Sequence, residues 1–595
     1  MKNYTSIGLS ILVLAGVIVG MTLWVRAFYT SVQNYRSPLK EIDLSPSPSS
    51  PATNAGKVVI VLIGGLGYDT SLILNLPVLE QLKQIGVNVA VESIPPTYSR
   101  TAWATLISGA SPETNDAPPV DMPLEKLYLL EVDTIFARAR QARLQTALLG
   151  MADWRRLIPR NQLDYVFFVD EPGPEADRVI FETALSIIEG GQADLMLIHF
   201  TQVNFAGQHQ GGPSGPAYLQ AANRIDAYLG QISAAMNLRD TTLVVLSDHG
   251  QISSGGYGGA EPDVIWQQVV MVGGNTNPGN YSDIHQTDIV PTISTLLGIA
   301  PPGAAQGRIL FEMLRLDEYN QAVAQLLLAN QRTALAEAYI SQIQGEPVAL
   351  PDTLSEDLAQ AQASLNNNNI GGAFELAQLA QQEADTQMTI ARNSRIRREQ
   401  LPRLVITALI VLVWLVTMWR RRGLHAGSVV IATVATVVLY HALYWLQGYS
   451  YSISALAGLS GYTELPFDVA RRVAVSLLAG GGLLLIFFML TDEVDWAILL
   501  GTGYGFSMLV TFIFILPFFW GSWQNGLVAT WRLPEVDLAF WQISSAFESM
   551  SAAVLGLILP WPIMSLSLFI NLIRRRLSDT RARKTSSGTL PGLRF

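Results

Sequence analysis

The sequence predicts an α/β domain, a sheet flanked by helices, joined to a helical stalk and an α-helical membrane domain of about six spans. Three observations predict it. Near-continuous apolar runs at Val58–Ile63, Leu195–Phe200 and Thr242–Ser247 each end in turn or polar residues. That is the pattern of parallel strands buried on both faces. Between them, over residues 56–315, lie helical stretches, so the strands connect through crossovers. Long, nearly uncharged apolar stretches then recur in the first thirty residues and in the last third of the chain.

Composition narrows the class. At 595 residues the chain exceeds one ordinary domain. Only 14% of residues are charged and the mean hydropathy is +0.29, which together call for substantial membrane content. A net charge of -10 argues against nucleic acid as a partner, because phosphate backbones need basic surface. The absence of cysteine excludes disulfides, thiolate metal sites and a cysteine nucleophile.

Each element follows in order. Ile7 to Val25 is apolar over about one membrane span and lacks a small-x-small cleavage site, so residues 1–28 read as an uncleaved anchor. Residues 29–55 read as a linker whose Ser/Pro run, Leu44 to Pro51, is extended and solvated. The α/β domain follows at 56–315. Residues 316–402, rich in Ala, Gln, Leu and Glu, read as a helical hairpin or stalk. Thr353-Leu-Ser-Glu356 has the form of a capping box, and Asn366–Asn369 with Gly371 and Gly372 separates two helices.

Five further spans are expected within 403–573, at Leu404–Met418, Ser428–Leu446, Val473–Leu490, Trp496–Leu516 and Ala552–Ile573. Arg420–Arg422 and Arg574–Arg576, the latter opening a basic tail at 574–595, fit the positive-inside rule with both termini cytoplasmic and the α/β domain extracytoplasmic. Arg471 and Arg472 then fall on the outer side against the rule. Trp520, Trp523, Trp531 and Trp541 read as an interfacial belt in the last outer loop. His441 lies inside a span and is read as structural. Small residues at Ala479–Gly482 suit close helix packing, and the scarcity of charge argues against an ion pathway. Membrane lipids are therefore partners.

In an α/β sheet the site gathers at the carboxyl ends of the strands. Thr242–Ser247 runs into Asp248-His249-Gly250, two metal-competent side chains and a turn. Several segments in order resemble the alkaline phosphatase superfamily, closest to its type I phosphodiesterase/nucleotide pyrophosphatase branch, which is similar to the GPI ethanolamine-phosphate transferases. Val58 to Leu66 resembles the first strand, Pro96 to Gly109 the nucleophile segment with Ser99 at its centre, and Asn204 to Gln208 an Asp-x-x-Gly-His segment. Ser247 to Gly250 resembles Asp-His-Gly, Gly255 to Gly259 a Gly-Gly-His-Gly-Gly loop, and Gln286 to Gly298 the closing segment.

The resemblance implies an alkaline-phosphatase-like sheet, a hydroxyl nucleophile at Ser99 and two metals held by about six Asp and His ligands. Asp248 and His249 match that set. Gly64, Asn204, Gln208 and Tyr257 stand at four of the ligand positions and do not. Asn204 remains a weak ligand for a hard cation. His209, His285, His199, Asp69 and Asp283 lie near the relevant segments as replacements. The reading is a degenerate, phosphodiesterase-like domain with no cofactor or one divalent cation, acting by binding a phosphorylated or glycan-type ligand or an envelope protein. Two alternatives remain open. One is an active phosphodiesterase or phosphoethanolamine-type head-group transferase, using Ser99 and two zinc ions. The other is a membrane assembly or transport subunit.

Overall fold

A computed structural model describes residues 2–44, 56–419, 425–448, 451–457, 464–491 and 495–586. The expected Ser/Pro spacer beyond Leu44, Arg420–Arg422 and the tail beyond residue 586 lie outside these residues. Nine strands form one sheet: β1 Lys57–Ile63, β2 Val87–Glu92, β3 Thr146–Met151, β4 Tyr165–Val169, β5 Leu195–Phe200, β6 Thr241–Leu246, β7 Trp266–Val272, β8 Gly279–Asn280 and β9 Ile284–His285. Their order is β4-β3-β5-β1-β6-β7-β2-β8, with β9 also on β2. The three apolar runs are the central strands. β1 pairs in parallel with β5 on one side and β6 on the other, so Ile63 sits beside Phe200 and Leu62 beside Leu246. β7 is antiparallel to both β6 and β2.

Strand periodicity sends alternate residues to opposite faces. Val59, Val61 and Ile63 pack under the Pro77–Ile85, Pro174–Glu189 and Pro216–Ala235 helices. Val58, Ile60 and Leu62 pack under the Ser99–Ser108 and Ile289–Leu296 helices. The Glu318–Gln344 helix joins that second core through Leu328, Leu335 and Ile340. The expected hairpin at 316–402 is therefore a three-helix unit, partly fused to the α/β core. Its other members are Asp352–Asn366 and the 50-residue Ile370–Trp419 helix. Thr353 does not cap: the helix begins one residue earlier, after Pro351, with no side-chain cap. The break at Asn367–Asn369 occurs, but Gly371 and Gly372 lie within the following helix.

Among the described residues six helical segments are long and apolar enough to cross a membrane: Ile7–Gln33, Ile370–Met418, Ala426–Leu446, Leu465–Leu490, Trp496–Asn525 and Val536–Thr580. Three of the later spans differ from expectation, the first because the Trp496–Asn525 helix runs past Leu516 and takes in Trp520 and Trp523, which were expected in an outer loop. The last begins at Val536 rather than Ala552, because the polar Gln542, Ser545 and Glu548 are buried between helices. Trp541 thereby belongs to a helix and not to an outer loop. The Leu465–Leu490 helix begins ahead of Val473 and includes Arg472. That side chain is buried, ion-paired to Asp468, and lies over the ring of Tyr444 at 4.7 Å. His441 bonds Tyr451 at 2.6 Å, a structural contact.

The domain sits on one end of the bundle. Trp531 donates to Glu399 at 2.7 Å and Tyr35 to the carbonyl of Glu113 at 2.8 Å. Arg574 reaches the carbonyl of Met489 at the other end. Residues 34–44, expected as spacer, are docked instead: Tyr35, Ser37 and Leu39 are buried, and Asp116 accepts from Ser37 N–H at 3.0 Å and pairs with Arg36.

One buried carboxylate ties two helices of the α/β domain together. The Pro77–Ile85 helix has no side-chain cap of its own, and Asp226 accepts from Val78 N–H at 3.0 Å and Leu79 N–H at 2.9 Å. Asp226→Ala leaves both donors without a partner and should lower stability by about 1–3 kcal/mol. Thermal melting of the detergent-solubilised chain, followed by near-UV circular dichroism, measures this.

Candidate active site

Ser99 opens the Ser99–Ser108 helix that follows β2, and Asp248 and His249 leave the end of β6. The fold brings them together. Ser99 Oγ lies 2.9 Å from His249 Nε2. His249 Nδ1 lies 2.8 Å from the carbonyl oxygen of Gly250. A carbonyl can only accept, so Nδ1 carries the proton, and in the neutral ring Nε2 accepts from the Ser99 hydroxyl. The ring of Tyr257 stacks on that of His249, centroids 4.2 Å apart and planes 3° apart, and holds its orientation.

Asn204 comes from the Gln202–His209 helix after β5. Its side-chain oxygen accepts from Gln251 at 2.7 Å and from Gln208, four residues on and so on the same helix face, at 3.1 Å. That leaves its Nδ2 to donate toward Ser99 Oγ at 3.4 Å. The amide orientation is assigned from this network. The hydrogen bonds thus run in one direction, from amide to hydroxyl to imidazole to backbone.

Asp248 is fully buried and accepts three hydrogen bonds. Oδ1 accepts from Gly65 N–H at 2.9 Å and from His249 N–H at 2.9 Å, and Oδ2 accepts from Trp103 Nε1 at 2.8 Å. Trp103 was not foreseen; its position four residues after Ser99, on the same helix face, was the available signal. Gln251 and Asp121 were also missed. Asp121 accepts from Tyr257 at 3.4 Å in a neighbouring loop, and nothing in its sequence context announces that.

The replaced positions are filled. A Cβ on Gly64 would lie 3.2 Å from His199 Nε2 and 3.4 Å from the carbonyl of Phe200, so His199 stands where a longer side chain would extend. Gly65 has φ +77° and passes so close to Asn204 that a Cβ would come within 2.8 Å of its Cα. A Cβ on Gly207 would fall 1.6 Å from Gln251 Oε1. The other proposed replacements face away. His209 is exposed and stacks on Phe205, His285 is exposed beside Glu92 at 3.5 Å, and Asp69 and Asp283 are exposed. Among the described residues no group of three or more His, Cys, Asp or Glu side chains is placed to hold a metal. The donors that are present do not fit a two-metal site, because the lone pairs of Asp248, Asn204 and His249 already accept hydrogen bonds from protein groups.

His199 is wholly buried, and its Nδ1 accepts from Trp154 Nε1 at 3.2 Å. Burial pulls its pKa down from 6.5 to about 4. The unfolded chain therefore binds this proton more readily than the folded one. The associated stability is complete above about pH 6.5 and is lost as the pH falls toward 4, up to a total on the order of 3 kcal/mol. Denaturant midpoints measured from pH 7.5 to 5 should show this loss, and His199→Gln should flatten it.

Comparison with known proteins finds similarity over this part of the chain. A sequence model of the family described as Type I phosphodiesterase / nucleotide pyrophosphatase matches residues 150–263, which include Asn204, Asp248, His249 and Tyr257. The human GPI ethanolamine phosphate transferase 2, catalytic subunit, is 23% identical over 329 residues, 50% of this chain and 33% of that protein. The human GPI ethanolamine phosphate transferase 3, catalytic subunit, is 25% identical over 299 residues, 45% of this chain and 27% of that protein. The chain thus spans about a third of the length of these relatives. The structure of murine ectonucleotide pyrophosphatase / phosphodiesterase 5 aligns at 14% identity and a TM-score of 0.36, over 44% of this chain and 100% of that one. The α/β domain thus carries a match to the type I phosphodiesterase / nucleotide pyrophosphatase family over residues 150–263 and is similar to the GPI ethanolamine phosphate transferases, with other side chains at four of the positions where that resemblance places metal ligands.

Proposed function

We propose that the chain is a membrane-held binding protein whose phosphodiesterase-like domain faces outward and has given up two-metal phosphoryl transfer. The protein hydrogen bonds on the carboxylate of Asp248 carry the reading. Its oxygens accept three N–H hydrogen bonds in the place where the resemblance puts cation ligation. Two cations clamp both ends of a phosphoryl displacement, and that chemistry needs free carboxylate and imidazole lone pairs.

The pocket chemistry narrows the ligand. Ser99, Asn204, Gln208 and Tyr257 offer hydroxyls and amides beside an aromatic ring, and the nearby guanidinium of Arg100 is held by Asp153 at 2.7 Å. Such a surface suits a neutral, hydroxyl-rich headgroup of glycan type better than a phosphate. A cavity of about 420 Å³ adjoins it, lined by Val25, Phe28, Tyr98, Val120, Leu533 and Phe547. Tyr98, the residue before Ser99, is the shared wall, packed edge-on to Tyr257 at 6.1 Å. The cavity lies between the first membrane helix, the last one and the domain, where hydrocarbon chains would reach it. The ligand class is therefore a lipid-linked glycan, and relatives named for GPI and ethanolamine phosphate transfer support a ligand of this kind. The basic Arg574–Arg576 cluster at the end of the bundle away from the domain supports a cytoplasmic position for that end.

Elemental analysis of the purified full chain after dialysis should find well under one equivalent of zinc or manganese. Binding of a lipid-linked oligosaccharide should weaken at least tenfold in Tyr98→Ala and should be insensitive to EDTA. Two tightly held equivalents of metal, with phosphodiester turnover abolished by Ser99→Ala, would overturn the reading.

A further inference from the structure

We infer that Ser99 and His249 form a metal-independent nucleophile–base pair able to take up an acyl group from a carboxylic ester. This goes beyond glycan binding and does not rest on it. The inference stands on the direction of the hydrogen bonds. Gly250 O fixes the Nδ1–H tautomer at 2.8 Å, which aims the Nε2 lone pair at the Ser99 hydroxyl 2.9 Å away. A hydroxyl, a base within hydrogen-bond reach, and a third group that orients the base are the parts an activated serine needs. The usual carboxylate is here a backbone carbonyl, and the stacked ring of Tyr257 supplies further orientation.

Donors for a developing oxyanion lie beside the nucleophile. Asn204 Nδ2 points to Ser99 Oγ at 3.4 Å. The N–H groups of Ser99, Arg100 and Thr101 belong to the first turn of the Ser99–Ser108 helix, where no preceding helical carbonyl is available to them; the first backbone bond into the helix is Ala102 N–H to Tyr98 O at 2.9 Å.

Charge decides between acyl and phosphoryl transfer. A phosphodiester brings a negative charge close to the buried carboxylate of Asp248, and the Arg100 guanidinium is already paired with Asp153. A carboxylic ester is neutral and needs only oxyanion donors. In the first step Ser99 Oγ bonds to the carbonyl carbon as its proton passes to His249 Nε2. The tetrahedral intermediate then expels the alcohol, which leaves with that proton, and Ser99 remains acylated. Water, deprotonated by His249, attacks the acyl carbon. The acid departs and Ser99 regains its hydroxyl, so atoms and charge balance without a co-reactant.

The test uses the full chain in detergent with excess EDTA, a fluorophosphonate probe and p-nitrophenyl acetate. Mass spectrometry should place both the phosphonyl and the acetyl adduct on Ser99, with p-nitrophenol released in a burst approaching one equivalent. Ser99→Ala should abolish both adducts, and His249→Gln should slow labelling by about 10²–10⁴-fold. Melting curves accompany each variant. Where His249→Gln does not fold, Asn204→Ala replaces it, with labelling expected to fall at least tenfold in a chain that melts normally. No adduct on Ser99 in folded wild-type protein, or an adduct that appears only on adding zinc, overturns the inference. The ester and probe contain no glycan, so this result is separate from the binding and metal measurements above.

Discussion

The site depends on one buried carboxylate. Asp248 draws the end of β1 to the end of β6 through Gly65 N–H, fixes its own turn through His249 N–H, and anchors the Ser99–Ser108 helix through Trp103 Nε1. Burying a carboxylate is costly unless hydrogen bonds replace its water. Here three N–H groups do so, and each belongs to an element that must be placed for Ser99 to meet His249. Removing Trp103 or crowding Gly65 would therefore disturb both the carboxylate and the pair beside it.

Seen from that carboxylate, the four altered ligand positions form one consistent set. Glycine at 64 makes room for His199, whose ring stacks edge-on against Trp103 at 4.6 Å, and Trp103 in turn holds Asp248. Amides at 204 and 208 bond one another and Gln251, which only Gly207 leaves room for. Tyrosine at 257 lies flat on His249. Each replacement is satisfied by a neighbour that the original metal ligand would not have needed. The set leaves one buried atom without a hydrogen bond, Oε1 of Gln251, while the side chains at 204, 208 and 257 themselves are not among such atoms.

Much of this was legible in the sequence. The three central strands are uninterrupted apolar runs, and a strand buried on both faces leaves that trace whatever its neighbours are. Asp248 and His249 stand at the end of one of these runs, whereas Ser99 and Asn204 were singled out through the family resemblance of their segments. The misses have physical causes. The last span was read from Ala552 because Asp537, Gln542 and Glu548 break its hydropathy, yet Glu548 accepts from Tyr440 at 2.8 Å and is buried against other helices. Residues 34–44 look like spacer, but the docking of Ser37 needs Asp116, eighty residues away. Thr353 and Glu356 have capping-box spacing, but the preceding Pro351 lets the helix start earlier. Hydropathy and spacing report local preference, and in each of these cases a distant partner or a neighbouring residue outweighed it.

The same distance dependence explains how the membrane domain reaches the site. Gly259 closes the loop that carries Tyr257, and its N–H donates to Ser454 Oγ at 2.9 Å. Ser454 donates in turn to Glu261 at 2.7 Å. A Cβ on Gly256 would fall 1.9 Å from the carbonyl oxygen of Ser454, so the loop and the Ser454 segment touch backbone to backbone. Tyr257 lies between those two glycines and is the residue that orients His249. The α/β domain could form its sheet without the bundle, because its two cores are built largely from its own strands and helices. The Tyr257 loop, by contrast, gains its outer support from Ser454. The surroundings of Ser99 are thereby tied to a connection between two membrane helices more than 350 residues away in sequence, through contacts that no local pattern could have announced.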